Sequence, residues 1–230
     1  MVTINHSDIS DMQINDGLVS YVVLNGQTLW YRPYLTRTIT STAAQAIAIP
    51  RWVNMVGYAI IGGGGGGQSG NGSNRGDGRP GGASQWVVGT FALPTLGESA
   101  TYYASIRVGA GGNGGANSDH AAGQNGAATS IQMVYRVGTS EAATQLSASS
   151  DGGRAGPASG LGIGAASGRP NAANSPRAEM ALPRGVAAGK EVVGGIPGAG
   201  GGYGGGGIFG ARGRGAAGGR GRAMIWMYSA

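Results

Sequence analysis

Residues 62–67 are six consecutive glycines, and they follow directly on an apolar stretch that includes Val53, Val56, Ile60 and Ile61. Glycine loses more conformational freedom on ordering than any other residue. A strand of buried type that runs into bare backbone must therefore either stay mobile there or gain a great deal from packing backbone on backbone. The junction recurs. Ile106 and Val108 lead into the glycine-dense 109–115, a third cluster covers 198–207, and glycines 213, 215, 218, 219 and 221 precede the apolar stretch 223–228.

Two physical options follow for this much glycine. Polyproline II geometry has three residues per turn and no internal hydrogen bonds, so glycine segments in that form can pack side by side and pair N–H with C=O between neighbours. The alternative is a set of mobile loops on a β-sandwich. Composition bears on the choice. Glycine supplies 50 of 230 residues, yet charged residues are only 11% and hydrophobic ones 40%. Disordered chains combine low hydrophobicity with high charge, which is not the balance here, so ordered glycine is expected.

The length suits one large domain or a small domain followed by a medium one. Cysteine is absent, which excludes a disulfide framework, thiolate metal sites and thiol chemistry. The first eight residues lack the basic and apolar regions of a cleavable signal, and no apolar run approaches the ~18 residues of a membrane span. The expectation is a chain made in a cytoplasm that reaches its destination without such a signal or an anchor. The net charge of +6 is carried by arginine, with Lys190 the single lysine. Arg154, Arg169, Arg212, Arg214, Arg220 and Arg222 lie in glycine-rich stretches, where they can attract an anionic polymer or an acidic neighbour.

Strand signals are plain in the first two thirds. Residues 18–24 and 27–32 flank Asn25-Gly26, the pair suited to a type I′ hairpin turn. Residues 1–36 are thus expected to form a hairpin module, with Tyr21, Trp30, Tyr31 and Tyr34 as its core or docking face. Beyond it, β-type stretches occur at 37–42, 46–50, 52–61, 84–91, 101–108, 129–135 and 145–149. In 101–108, Tyr102, Ala104, Ile106 and Val108 alternate with Tyr103, Ser105 and Arg107, the period of a strand with one buried face. Residues 129–135 repeat it, with Ile131, Met133 and Tyr135 opposite Ser130, Gln132 and Val134. The stretch 223–228 is apolar on both faces and is expected in the middle of a sheet or at a subunit interface. From 150 to about 221 only isolated anchors such as Leu161, Ile163, Leu182, Val192, Val193, Ile208 and Phe209 punctuate the glycine, and prolines 157, 170, 176, 183 and 197 exclude long helices. The expected fold is all-β: an antiparallel β-sandwich-like domain over 37–230 with glycine-rich loops or packed polyglycine II helices, preceded by the hairpin module 1–36.

Reactive constellations are scarce. No glycine cluster is followed by the Lys-Ser or Lys-Thr of a phosphate-binding loop. His6 and His120 have no partner at a metal-ligand spacing and read as solvated loop residues. Asp77, Asp119 and Asp151 lie in turn-forming surroundings without a calcium-loop pattern. No catalytic, cofactor-binding or metal-binding residue is assigned, and an enzyme is not expected. Arg75-Gly-Asp77 matches an integrin-type tripeptide that arises easily by chance in such a chain. Arg212-Gly-Arg-Gly215 and Gly219-Arg-Gly-Arg222 resemble arginine–glycine RNA-binding boxes, but they run straight into an apolar strand, which favours a structural role. Tyr203 and Phe209 could stack on sugars, although a pinning role for each loop is the simpler expectation.

The order of strand, 62–67, strand 102–108, 109–115, 126–130, 198–207 and closing strand 221–228 resembles the glycine-rich domain of bacteriophage minor tail proteins, particularly those of actinobacteriophages. The hairpin with Trp30 at 24–33 resembles one found in such tail proteins, and tail-fibre adhesins show related glycine packing. The resemblance implies a structural minor tail protein of a virion, at the tail tip. Its residues 1–36 would dock on other tail-tip proteins, its assembly would be a homotrimer, and it would contribute to host attachment. A second reading is a dedicated adhesin whose loops 68–82, 116–127 and 150–185 touch host-envelope glycans. A third is a glycine/arginine-rich RNA-binding protein.

Overall fold

In the computed structural model, residues 13–14, 17–18, 21–24, 27–31, 35–73, 76–95, 100–156 and 196–229 are described. Every regular element among them is a strand. Two short antiparallel pairs come first: β1 (Gln13–Ile14) with β2 (Gly17–Leu18), and β3 (Tyr21–Leu24) with β4 (Gln27–Tyr31). Leu24 pairs with Gln27, the register that the Asn25-Gly26 turn demands. His6, Tyr34 and the turn residues themselves lie outside the described set, as do Arg75 and 157–195 with Leu161, Ile163, Leu182, Val192, Val193, Arg169 and Lys190.

The remaining strands are β5 (Leu35–Ile39), β6 (Gln45–Ile49), β7 (Met55–Ile61), β8 (Trp86–Ala92), β9 (Ala100–Arg107), β10 (Thr129–Val137), β11 (Ser140–Ser150) and β12 (Arg222–Tyr228). They form two antiparallel sheets, β11-β10-β9-β6 and β5-β12-β7-β8, as the strand patterning predicts. The inner faces meet in one core. Val56, Ile60, Phe91, Ile225 and Met227 come from one sheet, and Tyr102, Ala104, Ile106, Ile131 and Met133 from the other. Tyr58 stacks on Phe91 with ring centroids 4.6 Å apart. Strand β12 lies between β5 and β7, as its two apolar faces require. Its Ala223, Ile225 and Met227 enter the inter-sheet core, while Trp226 joins Ala59, Ile61 and Trp86 in a second buried cluster. Gly57 is the cross-strand partner of Trp226, and the indole occupies the space that any side chain at 57 would need.

Three strand expectations shift. The stretch expected at 37–42 is β5, which starts at Leu35, two residues inside the expected hairpin module, and ends at Ile39. Residues 145–149 are the end of the longer β11, which pairs with β10 through a tight turn at Gly138, whose φ is +59°. Strict alternation in β10 fails at Val134, which is buried next to Met133, because the β10–β11 register slips between Gln132 and Val134.

The glycine forms an ordered bundle that extends the sandwich. Strands β7, β9 and β11 run directly into 62–72, 109–116 and 151–156, while 76–84, 121–128 and 211–221 lead back into β8, β10 and β12. Segment 62–72 is the axis, and 62–70 are all buried. Its N–H groups turn through three neighbours in strict rotation. Gly63, Gly66 and Ser69 donate to the carbonyls of Ala127, Gln124 and Ala121 at 2.8–3.0 Å. Gly64, Gly67 and Gly70 donate to Gly219, Ala216 and Gly213, and Gly65, Gln68 and Asn71 to Gly82, Arg79 and Gly76. Its carbonyls accept from three others in the same rotation: Gly63 and Gly66 from Gly153 and Gly156, Gly64 and Gly67 from Gly112 and Gly115, and Gly65, Gln68 and Asn71 from Gly201, Gly204 and Gly207. A threefold repeat with no internal bond is the signature of polyproline II packing.

The six neighbours close a ring in the order 109–116, 121–128, 151–156, 76–84, 198–207 and 211–221. Cross-bonds include Ala127 N–H to Ala110, Gly126 to Gly153, Gly82 to Arg154, Gly81 to Gly201, Ala216 to Gly202 and Gly218 to Gly112. The ascending and descending numbering of these partners makes adjacent ring members antiparallel throughout. Glycine is required here for closeness. A Cβ at Gly63, Gly64, Gly65, Gly66 or Gly67 would lie under 3.0 Å from a neighbouring carbonyl.

Candidate functional site

The bundle has a near end, fused to the sandwich, and a far end made of turns. Three hydroxyls manage the change of hydrogen-bond pattern at the near end. Gly62 N–H donates to Ser84 Oγ at 2.9 Å and to Ser150 Oγ at 3.0 Å. Those hydroxyls donate in turn to the carbonyls of Asp151 and Gln85, both at 2.6 Å. Thr129 Oγ1 donates to Ile61 O at 2.7 Å and accepts from Gly109 N–H at 2.9 Å. All three side chains are buried, so each bond is made where water cannot replace it.

At the far end the turns are clamped to the tip of the axis. Gly207 and Gly210 donate to the carbonyls of Asn71 and Gly72, at 2.9 and 3.0 Å, and between them Ala211 N–H closes on Ile208 O at 3.1 Å. This leaves Phe209 at φ +56° with 98% of its surface exposed, and Ile208 beside it. A bulky residue in the left-handed region is an outlier that the surroundings must hold in place. The expectation that Phe209 pins its loop is therefore corrected: backbone hydrogen bonds pin the turn, and the ring is presented to solvent. Tyr203, by contrast, is half-buried against the bundle.

The second tip turn, 117–120, is built the same way. Ser69 Oγ donates to Ser118 O at 2.5 Å and accepts from Ala121 N–H at 2.8 Å. Gln68, fully buried, donates from Nε2 to His120 O and accepts at Oε1 from Arg79 N–H. Asp119 Oδ1 accepts from Gly72 N–H at 2.8 Å and pairs with the Arg212 guanidinium. The Gly72 bond, and after it the Arg212 bond, hold the Asp119 carboxyl below the usual carboxylate range. His120 takes φ +49° and is half-buried, not solvated as its isolation in sequence suggests. Asp77, within the tripeptide 75–77, spends its carboxylate on Gly206 N–H at 2.8 Å.

The loops expected to recognise a ligand are shorter than their sequence limits. Much of 68–82 and 116–127 is bundle, leaving the bend at 72–73 and the turn at 117–120 at the tip, and most of 150–185 lies outside the described residues. The arginine–glycine runs are ordered too. Arg214 and Arg220 share with Ala211 and Ala217 the exposed third of segment 211–221, while glycines 215, 218 and 221 face the axis. That triplet spacing, and the matching Ala110, Asn113 and Ala116, is the sequence signal from which the bundle could be read. Among the described residues no group of three His, Cys, Asp or Glu is placed to hold a metal ion. The tip offers an aromatic face on a fixed turn, which suits stacking on a sugar ring or seating in an apolar groove.

A family described as a glycine-rich domain matches residues 39–228, which take in β6 to β12 and the bundle segments. No curated protein matches the chain.

Proposed function

The chain belongs to the glycine-rich domain family, and on that premise we propose that it is a structural minor tail protein of a bacteriophage, with the bundle tip turned towards the host surface. The observation that carries the reading is Phe209, almost wholly exposed on a turn whose backbone is fastened to the axis of the bundle. A stiff projection with little charge and one displayed aromatic suits contact with a surface. Residues 1–36 then serve the opposite task, docking on neighbouring tail proteins. A homotrimer is the assembly this reading expects, with a native mass three times the 22.7 kDa of one chain.

Immunogold labelling of particles released by cells carrying the encoding genome tests the placement. Label at the tail end is expected, and particles free of label overturn the proposal. Within labelled particles, Phe209→Ser should slow adsorption about tenfold or more, the size of an aromatic hot spot. Unchanged adsorption would leave a purely structural tail role and remove the host-contact half of the reading.

A further inference from the structure

A cavity of about 510 Å³ opens at the waist, where the sandwich gives way to the bundle. One wall is the backbone of 218–221 and Gly111, another is Ile196 and Pro197, and Thr40, Thr42, Arg220 and Arg222 complete the lining. Among the described residues no carboxylate lines it. Arg222 Nε is buried and makes no hydrogen bond. The ion pairs among the described residues, Arg136–Glu141 and Arg212–Asp119, engage neither Arg220 nor Arg222. Arg220 and Arg222 thus bring two guanidinium charges to the cavity, and an oxyanion seated between them would gain charge-assisted hydrogen bonds from the nitrogens that face it. Beyond Thr42 and Ala110 a second hollow of about 420 Å³ continues the groove past a third arginine, Arg107.

We infer that this waist pocket binds an anionic sugar, a hexopyranose carrying a carboxylate or a phosphate. The volume far exceeds a bare inorganic anion. Two threonine hydroxyls match sugar hydroxyls, and Ile196 with Pro197 offers an apolar wall to the C–H face of the ring. Single-stranded RNA fits less well, because no aromatic among the described residues lines the cavity for bases to stack on. The inference does not rest on the tail reading, and its test uses the isolated full chain, so the two fail separately.

The test is an amide NMR titration with glucuronate, glucose 6-phosphate and glucose. Saturable shifts of the Gly111, Gly218, Gly219 and Gly221 amides are expected with both acids and not with glucose. Arg222→Gln should weaken binding about tenfold or more. Arg220→Gln, at an exposed position that the fold does not need, should weaken it several-fold and keeps the test intact if the first variant unfolds. Absence of saturable shifts with both acids, equal shifts with glucose, or shifts produced by an oligouridylate alone would each overturn the assignment, as would full affinity in Arg220→Gln.

Discussion

Gly64 passes so close to the segment beginning at Gly198 that a single methyl group at this position would overlap the Ala199 carbonyl oxygen. The obstacle is backbone held by hydrogen bonds on the far side, so nothing can swing away. Gly64→Ala should lower unfolding free energy by about 3 kcal/mol or more, the upper range for overpacking a well-filled interior. Ala217→Ser, on the exposed third of segment 211–221, should stay within about 0.5 kcal/mol. Urea denaturation of both variants checks the pair, and equal losses would show that packing faces and outer faces are not distinct. Single residues were the least legible scale in the sequence. Phe209 reads in the sequence as an anchor and proves to be a display, because what decides it is whether Gly207 and Gly210 find carbonyls on the axis. Asp77 and Asp119 look like ordinary turn formers for the same reason.

At the scale of elements, strands are legible from alternation and glycine segments only from composition. Strands β7, β9, β10 and β12 stand close to their expected limits, since each buries a face whose apolar residues recur every second position. Strand β11 was seen only in its last part, because Ser140, Glu141 and Ala142 carry no apolar face and sit on a sheet edge. The run 62–67 has no side chains at all, so no periodicity could reveal which face met which neighbour. The joints between the two kinds of element rest on hydroxyls. Thr129→Val keeps the shape but removes the hydroxyl that accepts from Gly109 N–H and donates to Ile61 C=O in a dry site, and should cost about 2 kcal/mol. Thr129→Ser retains both bonds and should cost no more than about 1 kcal/mol, the value of one buried methyl. Thermal unfolding of the two variants separates the hydroxyl from the methyl. Equal destabilisation would place the contribution in packing.

The whole molecule has two interiors of different chemistry. Between the sheets the filling is Ile, Val, Met and aromatic side chains, whereas along the bundle axis it is peptide groups. Unfolding therefore exposes an unusual share of polar backbone for each apolar carbon. Apolar exposure raises heat capacity and polar exposure lowers it, so the heat-capacity increment should fall below the ordinary ~12–15 cal/mol/K per residue. Calorimetry across a range of pH gives this number, and a value within or above the ordinary range would overturn this account of the bundle interior. That one end of the chain's β-sandwich would gather the glycine was legible in the sequence, from the repeated strand-to-glycine junction. The pairing order of the ring was not, because it depends on contacts between segments up to about 150 residues apart, such as Gly64 with Gly219.

The rotation of partners along 62–72 also sets a rule for how such chains can change length. One residue inserted in the axis would turn every later N–H by a third of a revolution, away from its carbonyl and towards the wrong neighbour. Three residues inserted together restore the phase, provided the neighbours lengthen in step. Insertions and deletions in these segments are thus expected to survive selection in triplets of codons. Each triplet would carry the tip about 9 Å farther out. The reach of the projection is a ratcheted quantity, adjustable in steps without redesign of the sandwich that bears it.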